Sequence, residues 1–334
     1  MNSIGKVGII GGGSWATALA KVVMSTQGQM SWCLRTSNHI KEFKRLGHNP
    51  SYLSAVPFDV RRINFFSEGD VNDFARSCDT IILAVPSPFV KNYLKRLRNS
   101  VLRSKTVINA IKGMVPDENM LISDYLHLEK DVPREQIGVV SGPCHAEEVA
   151  RDRRSYITVG CFDINRAIAM SKVLTNEFVN CSVSRDVVGI EYASVLKNIY
   201  AIAAGICNSM NYGDNFQSVL ISNAIAEMSN FVNSVHLLRR NVTESVYLGD
   251  LLVTAYSNHS RNRTFGNMLG RGYSVRAAQL EMSMVAEGYY GAKCVYEVNQ
   301  SYRVDMPIAT TVYEILYQGK SIEQAIGGLS KRFK

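Results

Sequence analysis

The sequence contains no CxxC pair, no internal repeat and no apolar run of about 20 residues, and each absence removes a class of protein. Its seven cysteines (33, 78, 144, 161, 181, 207 and 294) are an odd number scattered over 334 residues. That pattern fits reduced thiols better than a disulfide framework or a zinc site. The six histidines are equally dispersed. Only His145 lies among acids, Glu147 and Glu148, and nothing near it in sequence supplies further ligands, so no metal is expected. The longest apolar candidate, 199–207, falls far short of the ~20 residues that cross a bilayer, so no integral membrane segment is expected. The N-terminus lacks a basic segment followed by an apolar stretch and a cleavage site. Without a secretory signal, the expected location is the cytoplasm.

Acidic residues are fewer than basic ones, 29 against 37, leaving a net charge of +8. Basic clusters at Arg61-Arg62, Lys91 to Lys105 and Arg151 to Arg154 are not interleaved with aromatics as a base-stacking platform would be. No nucleic-acid partner is expected. Solvated helix faces account for the clusters, and the excess charge also suits steering of small phosphorylated ligands. A hydrophobic content of 46% with 20% charged residues is that of a globular chain, and the length allows two domains.

What is present begins at residue 6. The apolar strand Lys6-Val7-Gly8-Ile9-Ile10 runs straight into GGGSWATALA, residues 11–20. Gly11 allows a tight turn, Gly13 lets the backbone approach a pyrophosphate, and Ala16 is small enough for close helix–strand packing. The helix that follows would aim its first N–H groups and positive dipole end at the phosphates. A glycine turn of purely steric origin is the alternative; the strand before it and the helix after it favour a dinucleotide.

Met30 to Arg35, Thr80 to Val85, Thr106 to Ala110, Ile137 to Val140 and Tyr156 to Gly160 are further buried-strand candidates, rich in Val and Ile. Alternating with helical segments, they predict a parallel, doubly wound α/β Rossmann-like N-terminal domain over residues 1–186. Beyond it Val188, Tyr192, Val195, Ile199, Ile202 and Ile206 recur at helical spacing. Segments near 215–238, 244–256, 274–285, 288–301 and 307–318 also read as helices. An all-α C-terminal domain, 187–334, is the expectation.

The opposite face of the 187–207 helix carries one lysine, Lys197, among Ala193, Ser194, Ala201, Ala204 and Asn208. In a water-poor cleft such a lysine can have its pKa lowered and act as general acid or base. A surface lysine laying its stem over apolar groups is the alternative. Neighbouring Asn198 could orient a substrate oxygen or bond backbone. Lys112-Gly113 follows a strand end, where an ammonium suits a phosphate or carbonyl, or is a turn lysine. Asp250 and Thr254 lie one helical turn apart, and Asp250 read alone is an N-cap. Ser260-Arg261-Asn262-Arg263 offers guanidinium forks beside cap formers, either a phosphate grip or exposed arginines. Arg35, at the end of the second strand, can accept the 2′-phosphate of NADP, where an acid would bind a ribose hydroxyl.

Taken together, GGGSWATALA at 11, AIKGM at 110, SGPCHAEEVA at 141, VGIEYASVLKNIYAIAAGI at 188, YGDNF at 212, LGDLLVTAYSNHSRNRTFG at 248 and VAEGYYGAK at 285 resemble the NAD(P)-dependent glycerol-3-phosphate dehydrogenases. The resemblance covers nearly the whole chain. It implies hydride transfer between NADPH or NADH and dihydroxyacetone phosphate, giving glycerol 3-phosphate for glycerophospholipid synthesis, with Lys197 as general acid/base. It implies substrate contacts at Lys112, Gly142, Cys144, Asp250, Arg261 and Asn262, beside which the residue reading above makes Asn198 and Ser260 candidates. The cofactor contacts it implies are Gly11, Gly13, Ser14, Trp15, Arg35, Lys112, Ala146, Arg261, Val285 and Glu287, with no metal. It is compatible with a homodimer.

The chain departs from the family pattern in three places. Cys144 stands where serine is usual, Ser222-Asn223 replaces Thr-Arg, and Ala255 replaces a cysteine. Two rival readings remain: another Rossmann dehydrogenase acting on a different hydroxy acid, and a non-catalytic NADPH-sensing module.

Overall fold

The computed structural model describes residues 4–282 and 284–333. The chain forms two compact units, Met1–Ile111 with Ile122–Val187, and Lys112–Leu121 with Val188–Lys334. The sequence suggested one boundary at 186/187. The structure adds a second exchange, because the short segment Lys112–Leu121 joins the helical unit.

The strand unit holds one eight-stranded sheet: β1 (Val7–Ile10), β2 (Met30–Leu34), β3 (Ile63–Ser67), β4 (Thr80–Leu83), β5 (Thr106–Asn109), β6 (Ile137–Ser141), β7 (Ser155–Cys161) and β8 (Val179–Ser184). Their order is β3-β2-β1-β4-β5-β6-β7-β8. The first six follow the dinucleotide-binding order, with the turn after central β1 where that order reverses. In register, Ile9 pairs with Trp32 on one side and Ile82 on the other. Every residue of β1, β2, β4, β5 and β6 is buried, as expected of strands covered on both faces.

Two features of the sheet differ from the expectation. β6 and β7 pair antiparallel, so the sheet is mixed. Edge strands β3 and β8 were not foreseen, because each is largely half-buried or exposed and lacks a continuous apolar run.

The helix after β1, Ser14–Gln27, buries Ala16, Leu19, Ala20 and Val23 along one stripe and ends at Gly28 in the left-handed conformation. On β2, Trp32 packs against Phe43 and Phe58 with ring centroids 5.2 and 5.4 Å away.

In the helical unit the central element is Val187–Ser209. The sequence showed one apolar stripe and an opposite face of small residues around a single lysine. In the structure residues 189–207 are buried all round. By length and composition alone this helix could cross a membrane, which the 199–207 window had missed, but 94% of its most apolar window is packed inside the protein. It is a core helix. Its small residues admit another backbone: a Cβ added at Gly205 would sit 2.1 Å from the carbonyl oxygen of Arg263, and one at Gly266 would sit 2.1 Å from that of Ile202. Helix Arg261–Gly270 thus crosses the central helix at backbone contact.

Around it lie Gly213–Val235, a π turn Ser245–Gly249 running into Asp250–Tyr256, then Val275–Glu281, Glu287–Tyr302, Pro307–Tyr317 and Ile322–Ser330. Arg261–Gly270 and Ile322–Ser330 were not predicted; an interior glycine and few apolar residues weaken the first as a sequence signal.

Candidate active site

Lys197 sits midway along the central helix and is 3% exposed, which excludes a surface lysine. Its Nζ is hydrogen-bonded to Asp250 Oδ1. The other carboxylate oxygen of Asp250 lies 3.6 Å from Lys112 Nζ. One buried carboxylate is therefore shared by two ammonium groups. Asp250 does not act as an N-cap: it opens helix Asp250–Tyr256 directly after the π turn, with Gly249 at the cap position. That five-residue turn is a wider winding of the kind often found at functional sites. Thr254 donates its hydroxyl to the Asp250 carbonyl at 2.6 Å within the first turn of helix Asp250–Tyr256.

Burial pulls the Lys197 ammonium down from 10.5 to about 7; Asp250 opposes the shift and the Lys112 charge adds to it. That downward shift favours release of the proton and so suits general acid–base work.

A chain of amides frames this cluster. Asn198 Nδ2 donates to the Lys112 carbonyl at 2.9 Å, its Oδ1 accepts from Asn262 Nδ2 at 2.9 Å, and Asn262 Oδ1 accepts from the Gly288 N–H at 2.8 Å. Of the two readings of Asn198, the bond to backbone is present. Ser260 caps helix Arg261–Gly270, accepting from the Arg263 N–H. Arg261 opens that helix half-buried, while Arg263 donates to Asn258 and Asn208. Glu287 opens helix Glu287–Tyr302, and Val285 lies half-buried just before it. Lys112, Lys197, Asn198, Asp250, Ser260, Arg261, Asn262, Val285 and Glu287 all belong to the helical unit.

The strand unit holds the remaining candidates. Gly11 has φ +129°, and a Cβ there would lie 2.2 Å from the Ala84 carbonyl oxygen, so only glycine fits. Among the described residues, nothing lies within 4 Å of a Cβ built on Gly13. Gly13 starts helix Ser14–Gln27 without a side-chain cap. This open cradle at a helix start fits a pyrophosphate. Ser14 is buried and Trp15 half-buried in the first turn, while Arg35 is exposed immediately after β2. Gly142, Cys144 and Ala146 follow β6, and the Cys144 thiol donates to the Gly142 carbonyl at 3.0 Å.

The family profile described as NAD-dependent glycerol-3-phosphate dehydrogenase N-terminus matches residues 6–167, and its C-terminus counterpart matches residues 186–327. The enzyme named glycerol-3-phosphate dehydrogenase, NAD(P)+, of Lysinibacillus sphaericus is 33% identical over 333 residues, covering 98% of this chain and 97% of its own. That of Bacillus velezensis is 32% identical over 332 residues, covering 98% and 95%. The chain belongs to this family. The crystal structure of glycerol-3-phosphate dehydrogenase from Coxiella burnetii superimposes with a TM-score of 0.90 at 27% identity, covering 98% of this chain and 99% of the other. Membership of the glycerol-3-phosphate dehydrogenases makes the cofactor class NAD(P)H and the reaction class oxidation or reduction at a CH–OH carbon.

Two residues at the glycine turn had no signal in the sequence. Trp32 Nε1 donates to the Gly11 carbonyl at 2.7 Å, and Asn49 Nδ2 donates to the Gly12 carbonyl at 3.0 Å. Trp32 read only as a strand residue, and Asn49 lies in a loop without periodicity.

Proposed function

We propose that the chain catalyses reversible hydride transfer between NAD(P)H and dihydroxyacetone phosphate, giving sn-glycerol 3-phosphate for glycerophospholipid synthesis. The carrying observation is the buried Lys197, held by Asp250 beside Lys112, where burial lowers the hold of the ammonium on its proton. A bound nicotinamide supplies the hydride. In reduction Lys197 gives its Nζ proton to the oxygen on which negative charge develops, and in oxidation it takes that proton back. Asp250 holds the ammonium in place, and Lys112, one-fifth exposed, offers a second positive charge to the carbonyl or the phosphate.

Arg261 is the proposed phosphate contact, and Ser260, Asn198 and Asn262 keep its helix and the lysines in register. Gly142 and Cys144 are proposed substrate contacts of the strand unit, as thiol chemistry permits only a weak donor at Cys144. For the cofactor, Gly11, Gly13, Ser14, Trp15, Arg35 and Ala146 are the proposed contacts of the strand unit. Lys112, Arg261, Val285 and Glu287 are those of the helical unit.

All seven cysteines are free thiols, which supports a reducing, cytoplasmic setting. A homodimer belongs to the same reading; Leu237 and Leu280, 90% and 79% exposed, are apolar surface that a second copy could cover. Light scattering that returns a monomer mass at micromolar concentration rejects that part.

The decisive assay follows NADPH and NADH oxidation with dihydroxyacetone phosphate. Turnover is expected with at least one cofactor. Cofactor binding with no turnover at millimolar substrate overturns the catalytic reading in favour of a sensing module.

A further inference from the structure

The glycine turn is gripped from behind at three successive carbonyls. Trp32 Nε1 takes the Gly11 oxygen at 2.7 Å, Asn49 Nδ2 takes the Gly12 oxygen at 3.0 Å, and Thr17 Oγ1 takes the Gly13 oxygen at 2.9 Å. Asn49 Nδ2 also donates to Thr17 Oγ1 at 2.8 Å, so the last two grips are one linked unit. Trp32, Asn49 and Thr17 are all fully buried. The indole is fixed in turn by the Phe43, Phe58 and Phe65 rings around it.

A trans peptide is planar, with its C=O and N–H pointing in opposite directions. Turning the Gly11 and Gly12 oxygens inward therefore aims the N–H groups of Gly12 and Gly13 outward. The same grips keep three partial negative charges away from any anion on the outer side. Without them a turn of three glycines would sample many orientations, since glycine pays the largest backbone entropy on ordering.

Resting on the dinucleotide reading above, we propose that Asn49 and Trp32 are positioning residues for the pyrophosphate turn, setting cofactor affinity by fixing the peptide planes of Gly11 and Gly12. Asn49 does more than hold the turn. Its Oδ1 accepts the N–H groups of Ser51 and Tyr52 at 3.0 and 3.2 Å, so one amide ties the turn to the 49–52 loop. Only an amide meets both demands, with two donors toward the turn and an acceptor toward the loop. Aspartate keeps the acceptor and loses the donors.

The test is dinucleotide binding, measured by quenching of NADPH fluorescence and by calorimetry with NADH, in the wild type, Asn49→Asp and Trp32→Phe. Losing one hydrogen bond of this kind costs roughly a factor of ten. Trp32→Phe should raise the dissociation constant about tenfold. Asn49→Asp, which loses two donors and places negative charge behind the turn, should raise it about a hundredfold. At saturating cofactor, KM for dihydroxyacetone phosphate should stay within about twofold, a split that general destabilisation would not produce. Hydrogen exchange should quicken at residues 11–15 while β1 stays protected.

Unchanged dissociation constants in both folded variants overturn the proposal. So does a parallel rise in both KM values. Should Asn49→Asp fail to fold, Trp32→Phe alone decides, since it keeps the aromatic cluster. Absence of binding by the wild type would instead overturn the dinucleotide reading itself.

Discussion

In the strand unit the glycine turn is held by neutral donors, Trp32 Nε1 and Asn49 Nδ2, whereas in the helical unit Lys197 is held by the Asp250 carboxylate beside a second ammonium. Both arrangements are buried, but they respond to conditions differently. Neutral hydrogen bonds between amides and carbonyls do not titrate, so the turn keeps its shape across the pH range in which the protein is folded. A buried lysine beside a carboxylate is poised between protonation states, and small changes in its surroundings move the balance. On the proposed roles, the pyrophosphate turn is thus a rigid, pH-indifferent scaffold and the proton-transfer site a charge-sensitive one.

The largest break in this contrast is Lys197→Ala. Loss of a general acid lowers turnover by about 10²–10⁴-fold, while the NADPH dissociation constant changes little because the glycine turn is untouched. Lys197→Arg should rescue little, since guanidinium does not release a proton near neutrality. Near-normal kcat in a folded Lys197→Ala variant would move the proton-transfer role to Lys112.

Asp250→Asn sharpens the comparison. In the wild type, reduction needs the protonated amine, so its rate should fall as pH rises through about 7, and oxidation should rise over the same interval. Removing the Asp250 charge removes the influence that raises the Lys197 pKa. The inflection should move to lower pH, and reduction at pH 7.5 should fall by roughly 10–100-fold. A pH–rate profile with an unmoved inflection assigns the titration to another group. The NADH dissociation constant, measured alongside, should stay flat with pH.

Arg35→Asp tests the strand unit's one charged candidate. A charge-assisted contact to a phosphate is worth about 1.5–3 kcal/mol, so KM for NADPH should rise by roughly 10–100-fold while that for NADH moves little. Equal effects on both would show that Arg35 does not meet the 2′-phosphate.

The smallest expected effect lies away from both sites. Glu227, buried on helix Gly213–Val235, accepts the N–H groups of Ile308 and Ala309 at 2.8 and 2.9 Å and so caps helix Pro307–Tyr317. Burial pushes its carboxyl up from 4.5 to about 7, against the two amide bonds. The folded chain then binds this proton more tightly than the unfolded one. Its contribution to stability is full below pH 4.5 and is lost as pH rises through about 7. Glu227→Gln should flatten the change in melting temperature between pH 5 and 7.5, at a cost of about 1–2 kcal/mol for the replaced acceptor. Thermal melts at several pH values check this, and an unaltered slope would assign it elsewhere.

Much of this is legible in the sequence. Strand β1, Gly11 and the helix behind it are local: a short apolar run, a turn that tolerates only glycine, and a stripe at helical spacing are all written within about 20 residues. So are the helical character of the second half and the lone lysine of its central helix. Edge strands β3 and β8 escaped because one exposed face breaks the apolar run on which strand recognition rests. The antiparallel β6–β7 pair escaped because strand direction is a property of the connection and not of either strand.

The amino-acid order by itself determined the buried central strands, the helical character of the second half and where a glycine turn meets a helix start, because those depend on neighbours a few bonds away. Only the tertiary structure decided that Lys197 is buried, that its partner is Asp250 53 positions further along, and that Asn49 reaches back 37 positions to the Gly12 carbonyl. Proton affinity and peptide orientation are set by which charges and donors lie within a few ångströms, and folding alone brings such distant residues that close.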